Sequence, residues 1–175
     1  MNRRTFLASL AALAGCSTSG VRLDAPYRVT PHEVVEEMLR LAAVGPGDLV
    51  YDLGCGDGRI VIAAAKRGAR GVGIDLDPQR IEEANEGARR AGVAHRVRFA
   101  VQDLFQADFS EASVVTLYLF PEMNAKLRPK FLAELKPGAR VVSHDFGIAG
   151  WPPERTSAVS LERLHHVYLW RVPAR

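Results

Sequence analysis

The turn Asp52-Leu53-Gly54-Cys55-Gly56-Asp57-Gly58-Arg59 sets three glycines at alternate positions between an apolar run and a helical pattern. Glycine adopts positive φ without strain, so such a turn lets a ligand touch the main chain. The helix N-terminus beyond it offers free N–H groups to an anion such as a carboxylate. The dinucleotide spacing G-x-G-x-x-G fails, because Arg59 stands where the third glycine belongs, and no loop ending in Gly-Lys-Ser/Thr occurs. Two more acids follow at the ends of the next apolar runs. Asp75 closes Gly71-Val72-Gly73-Ile74, where a carboxylate can accept both hydroxyls of a ribose. Asp103 follows Phe99-Ala100-Val101-Gln102, where a carboxylate can accept from the exocyclic amine of an adenine. Each acid alone reads as a turn or cap residue, as Asp77 before Pro78 does. Together they line one crevice at the carboxyl edge of an open α/β sheet.

The elements that would position these acids alternate along the chain. Thr30 with Glu33 three residues on reads as a capping box, with Pro31 in the first turn and Val34, Val35, Met38, Leu39 and Ala42 on one face of the helix it opens. Strands are expected at 49–53, 71–74, 97–101, 114–119 and 139–143, with helices from about 58 to 67, after Asp77-Pro78, and over 121–135. The continuous apolar run from Val114 to Leu119 suits a strand covered on both faces. Pro129 is expected to break the last helix, since its ring and missing N–H interrupt an interior turn. Runs 156–161 and 167–172 read as an antiparallel hairpin, with His165 and His166 in its link and no metal site read there. The expected fold is α/β, a Rossmann-like, seven-stranded, mostly parallel sheet ending in an antiparallel hairpin.

Asp52-Leu-Gly-Cys-Gly-Asp-Gly, Gly73-Ile74-Asp75 and Gln102-Asp103, in that order, resemble the successive motifs of class I S-adenosylmethionine-dependent methyltransferases, and the likeness covers about 27–172. In that superfamily the glycine turn holds the methionine part of the cofactor, the second acid the ribose and the third the adenine. The resemblance therefore implies those roles for Asp52, Gly54 and Gly56, for Asp75, and for Asp103. It also implies cofactor contacts from Tyr27, Thr30, Leu76 and Gln102. A narrower likeness rests on Thr30-Pro31, Thr116-Leu-Tyr-Leu-Phe-Pro121, Leu127-Arg-Pro129, Val142-Ser-His-Asp-Phe146 and Tyr168-Leu-Trp170. These are similar to small single-domain protein-lysine methyltransferases related to the ATP synthase c-subunit lysine methyltransferase, which implies a protein lysine as acceptor. The fourth strand lacks the Asn/Asp-Pro-Pro-Tyr/Phe ending of enzymes that methylate amines of nucleic-acid bases.

Methyl transfer from a sulfonium asks little of side chains beyond a nucleophile held in line in a water-poor pocket. A lysine must also arrive neutral, and desolvation lowers an amine pKa. Tyr118, Glu122 and Asn124, at and just beyond the end of the fourth strand, are the candidates for the acceptor side. Three alternatives stay open at this point: a non-catalytic binder of S-adenosylmethionine, a small-molecule methyltransferase and, more distantly, a nicotinamide oxidoreductase.

The first residues carry a separate message. Arg3-Arg4 ahead of Phe6-Leu7 and the apolar run 8–13 resembles a twin-arginine export signal, and Leu13-Ala14-Gly15-Cys16 a lipobox. Residues 1–15 are thus expected to be a signal peptide, Cys16 a lipidation site, 16–26 a tether and 27–175 the methyltransferase domain. That places the protein in the cell envelope on a lipid anchor, with a cytoplasmic enzyme as the alternative. Loss of residues 1–15 lowers the formal charge from +3 to +1, which leaves no basic excess that demands a nucleic-acid partner. Cys55 is the one other cysteine, so no intrachain disulfide is expected in a mature chain.

Overall fold

The computed structural model describes residues 28–174; the stretches expected to be an export signal and a tether, with Cys16 and Tyr27, lie outside the described residues. Seven strands form one sheet: β1 (Leu49–Leu53), β2 (Arg70–Asp75), β3 (Val97–Val101), β4 (Val114–Leu117), β5 (Arg140–His144), β6 (Arg155–Ser160) and β7 (Leu164–Arg171). Their order is β3-β2-β1-β4-β5-β7-β6. The first five strands are parallel, and β7 pairs antiparallel with both β5 and β6. The chain winds outward from β1 to β3 and then returns to place β4 on the other side of β1. The carboxyl edge between β1 and β4 is therefore the switch point at which such sheets bind ligands.

Helices α1 (His32–Leu41), α2 (Arg59–Lys66) and α3 (Pro78–Arg90) cover one face, and α4 (Pro121–Glu134) covers the other. On the first face Val34, Val35, Met38 and Leu39 of α1 pack with Val50, Val114 and Val142 of the central strands. On the second, Leu127 and Phe131 of α4 pack with Val115, Leu117 and Val141. All four residues of β4 are buried, as its unbroken apolar run requires. Asp77 caps α3, its carboxylate accepting from Gln79 N, with Pro78 in the first turn.

Four local expectations are corrected. Thr30 forms no capping box: the N-cap of α1 is Pro31, and the Thr30 hydroxyl is drawn instead to His144 Nδ1 at 3.2 Å. Helix α4 runs through Pro129 without ending. An interior proline costs about 3 kcal/mol, but Leu127 and Phe131 on either side are fully buried, and each such side chain contributes roughly 1.5–3 kcal/mol. Strand β4 stops at Leu117, two residues early, which frees Tyr118 and Leu119 to turn into the crevice. The hairpin link is only 161–163, so His165 and His166 stand within β7, in register with Val159 and Ala158.

Candidate active site

The glycine turn leaves β1 with Gly54 N and Cys55 N both donating to Ile74 O at 2.9 Å, which folds the turn back over the end of β2. Gly54 has φ +81° and Gly58 +75°, a left-handed conformation that side chains resist. The carboxylate of Asp75 fixes the loop from the other side, Oδ2 accepting from Gly56 N at 2.9 Å and Oδ1 from Asp77 N at 3.0 Å. Two strand ends and one glycine loop thus form a single framework.

A cleft opens above it. Thr30, Asp52, Gly54, Gly56, Asp75, Leu76 and Gln102 all line it, as does Tyr118. Three of the anticipated residues do not. Asp103 is turned into its own loop, where its oxygens accept from Phe105 N at 2.9 Å and Gln106 Nε2 at 3.1 Å. Glu122 is exposed in the first turn of α4, off the cleft wall. Asn124 is fully buried, and its Nδ2 reaches Ser143 Oγ, Phe146 O and Gly147 O at 3.3–3.5 Å, tying α4 to β5 and the loop after it.

Several cleft residues had no sequence signal of their own. Arg28 and Val29 sit in an aperiodic stretch before α1, and Arg80 reads as an ordinary α3 surface residue. Arg59 could have been found from its place one residue beyond the glycine turn. Its Nε donates to Asp57 Oδ1 at 2.9 Å and its Nη1 to Thr30 O at 3.1 Å, so it joins the turn to the segment before α1.

The electrostatics favour a cationic ligand. Asp52 is buried, with Oδ1 accepting from Thr116 Oγ1 at 2.7 Å. Burial pushes its carboxyl up to about 7, and the charges of Asp75 and Asp57 add to the rise. Burial likewise pushes the Cys55 thiol up, which keeps it protonated and unreactive. A ligand that brings an ammonium to Asp52 and a diol to Asp75 relieves both the unpaired charge and the mutual repulsion of the acids. S-adenosylmethionine, with its ammonium, sulfonium and ribose, has that chemistry; a dinucleotide pyrophosphate would add anionic charge among four aspartates, Asp52, Asp57, Asp75 and Asp77. A pH dependence follows. Cofactor should bind the ionised Asp52, so between pH 8 and pH 6 apparent affinity for S-adenosylhomocysteine should fall about tenfold, as the competent fraction falls below pH 7. Titration calorimetry at the two pH values checks it, and Asp52→Asn should flatten the difference. A slope that persists in Asp52→Asn would assign the proton elsewhere.

Behind Tyr118 lies a second polar cluster. His144 Nε2 and His165 Nδ1 are 2.8 Å apart, and Asp145 Oδ2 is 3.3 Å from the same His144 nitrogen. Burial pushes His144 down to about 4, against the Asp145 charge. Burial would raise Asp145, but hydrogen bonds from Arg163 and His166 N hold it below the usual carboxylate range. His144, Asp145 and His165 bring three possible metal-ligand atoms within 4.8 Å of one another. Arg163 already occupies the same carboxylate oxygen and the imidazoles bond each other, so the group is satisfied as a hydrogen-bond network.

Comparison with known proteins agrees with this geometry. Residues 52–155 match the model of the ANTKMT methyltransferase domain. A protein-lysine N-methyltransferase of Saccharolobus islandicus is 46% identical over 148 residues, 83% of this chain and 92% of that protein. The lysine N-methyltransferase that acts on the ATP synthase c-subunit in Mus musculus is 36% identical over 137 residues, 78% of this chain; the chain spans only 55% of that enzyme's length. Among solved structures, one described as an RNA methyltransferase from Salinibacter ruber in complex with S-adenosyl-L-homocysteine is 53% identical, with a TM-score of 0.80 over 85% of this chain and 95% of that one.

Proposed function

The chain belongs to the ANTKMT methyltransferase domain family and is an S-adenosylmethionine-dependent methyltransferase; from that premise we propose that its acceptor is the ε-amine of a protein lysine. The observation that carries the reading is the match to the Saccharolobus protein-lysine N-methyltransferase over 92% of that enzyme's length. When bound, the cofactor supplies a methyl group already activated by its sulfonium. The chain's own residues then have three tasks. The glycine turn and Asp75 would hold the methionine and ribose parts, and Asp52 would face the ammonium. Tyr118, Leu119 and Met123 on the acceptor wall would exclude water, which favours the neutral amine that an in-line attack needs. Asp103 would meet the adenine only from the loop in which it is now engaged.

One observation favours a second reading. The Salinibacter structure, at 53% identity, is described as an RNA methyltransferase. Against an exocyclic base amine as the target, β4 is followed by Tyr118-Leu119-Phe120-Pro121 rather than the Asn/Asp-Pro-Pro-Tyr/Phe that receives such amines. The two separate on one gel: extract from cells lacking the gene is labelled with methyl-tritiated S-adenosylmethionine and the full chain, then split between protease and ribonuclease. Label lost to protease alone supports the lysine reading; label lost to ribonuclease alone overturns it.

We also propose that the chain works in the cell envelope, cut before Cys16 and held by lipid on that residue, with Arg3-Arg4 as the export signal. Fractionation should find the wild type in the membrane. Cys16→Ala should leave that fraction, and the Arg3→Lys/Arg4→Lys double variant should stay in the cytoplasm at full length. Three soluble, cytoplasmic, full-length products would overturn the signal. Acceptors would then be cytoplasmic proteins.

A further inference from the structure

His144 ends β5, is fully buried and does not line the cleft, yet it touches both of the cleft's walls. Its Nδ1 meets the hydroxyl of Thr30, which lies 114 residues earlier in the chain and lines the cofactor side. Its ring lies against that of Tyr118, with centroids 3.9 Å apart and planes inclined by 31°, and Tyr118 lines the same cleft. Its Nε2 is fixed by His165 of β7 at 2.8 Å, with the Asp145 carboxylate at 3.3 Å.

We propose that His144, braced by His165, is a positioning residue of the methyl-transfer cleft, holding Thr30 over the cofactor and Tyr118 beside the acceptor in one fixed relation. The tautomer follows from the neighbours. A carboxylate beside Nε2 draws the ring proton to that nitrogen, which leaves Nδ1 to accept from the Thr30 hydroxyl. Among the described residues, two side chains hold the segment 28–30 through Thr30: Arg59 donates to its carbonyl and His144 accepts from its hydroxyl. Arg59 springs from the glycine turn and His144 from β5, so the segment is pinned across the mouth of the cleft. Removing the second pin should let it swing while the sheet below stays intact. Cofactor affinity is what the pin governs, whichever molecule accepts the methyl group.

The two ring nitrogens can be removed separately, because an Asn amide reaches about as far as Nδ1 and a Gln amide about as far as Nε2. In the full chain, His144→Gln should weaken S-adenosylhomocysteine binding by about tenfold or more, the worth of one well-made buried hydrogen bond. Thr30→Val, of nearly the same shape, should do the same. The double variant should be no weaker than either single, the sign of a shared interaction. His144→Asn should bind within about threefold of the wild type. Thermal unfolding of each variant separates lost binding from lost fold, and if His144→Gln does not fold, Thr30→Val against His144→Asn decides. Equal affinity in every folded variant, or equal loss in the Asn and Gln variants, would overturn the assignment, since a residue that merely packs does not distinguish its nitrogens.

Discussion

Asp75→Ala should cost the protein affinity for S-adenosylhomocysteine on the order of a hundredfold, and should lower thermal stability as well, because its carboxylate braces the glycine loop. Two losses combine. The ribose diol gives up a charged acceptor, and hydrogen bonds to charged groups contribute roughly 1.5–3 kcal/mol each. The loop gives up its brace as well, because Asp75 Oδ2 accepts from Gly56 N and Oδ1 from Asp77 N. Asp75 is only partly buried, so its removal leaves no large cavity. Asp75→Asn should fall between, since one carbonyl oxygen remains to accept. The wild type should show no binding of NAD, for which the turn lacks the third glycine. Unchanged affinity in Asp75→Ala, or NAD binding in its place, would remove the ribose assignment.

Gly58→Val should unfold the domain, or bring it close. The residue has φ +75°, and a Cβ there would stand 2.7 Å from the Phe99 ring and 2.8 Å from Ala84 Cβ. The left-handed backbone costs about 1–2 kcal/mol and the forced packing about 1–3 kcal/mol more. The sum is a large part of the 5–15 kcal/mol that holds an average domain together. Two other glycines in the same conformation serve as controls. Gly92 has φ +71° with open space around it, so Gly92→Ala should cost only the backbone strain. Gly54 has φ +81° and a Cβ would meet only the movable tip of Leu119 at 3.2 Å, so Gly54→Ala should fold yet bind cofactor poorly. Urea denaturation reads all three, and a Gly58→Val protein as stable as Gly92→Ala would show that the clash is relieved.

What was legible from sequence was local. The strands 49–53 and 97–101 were placed to the residue, and the Asp77-Pro78 start of α3 was placed too, because short apolar runs between turns and a capped first turn are written in neighbouring side chains. The glycine turn was legible because its residues are chain neighbours, and Asp75 because it closes the next apolar run, although its contact with Gly56, 19 residues away, was not. What failed was non-local. The Thr30-to-Glu33 pattern fits a capping box, but a partner 114 residues away takes the hydroxyl. Pro129 reads as a helix break until the burial of Leu127 and Phe131 is weighed against it. Asn124 sits in the right stretch to face an acceptor, and only the packed structure turns it inward to the loop after β5. The His144 contacts join four chain segments and leave no periodic trace in any of them.

The proposed chemistry ends at one kind of nitrogen. The full chain is incubated with methyl-labelled S-adenosylmethionine and protein from cells lacking the gene, the product is hydrolysed completely, and the amino acids are separated. Label should elute with Nε-methylated lysine, and at cofactor concentrations below the variant's Kd it should fall sharply when Asp75→Ala replaces the wild type. Label on any other residue, or none in protein while a ribonucleoside carries it, would contradict a lysine methyltransferase built on this cleft.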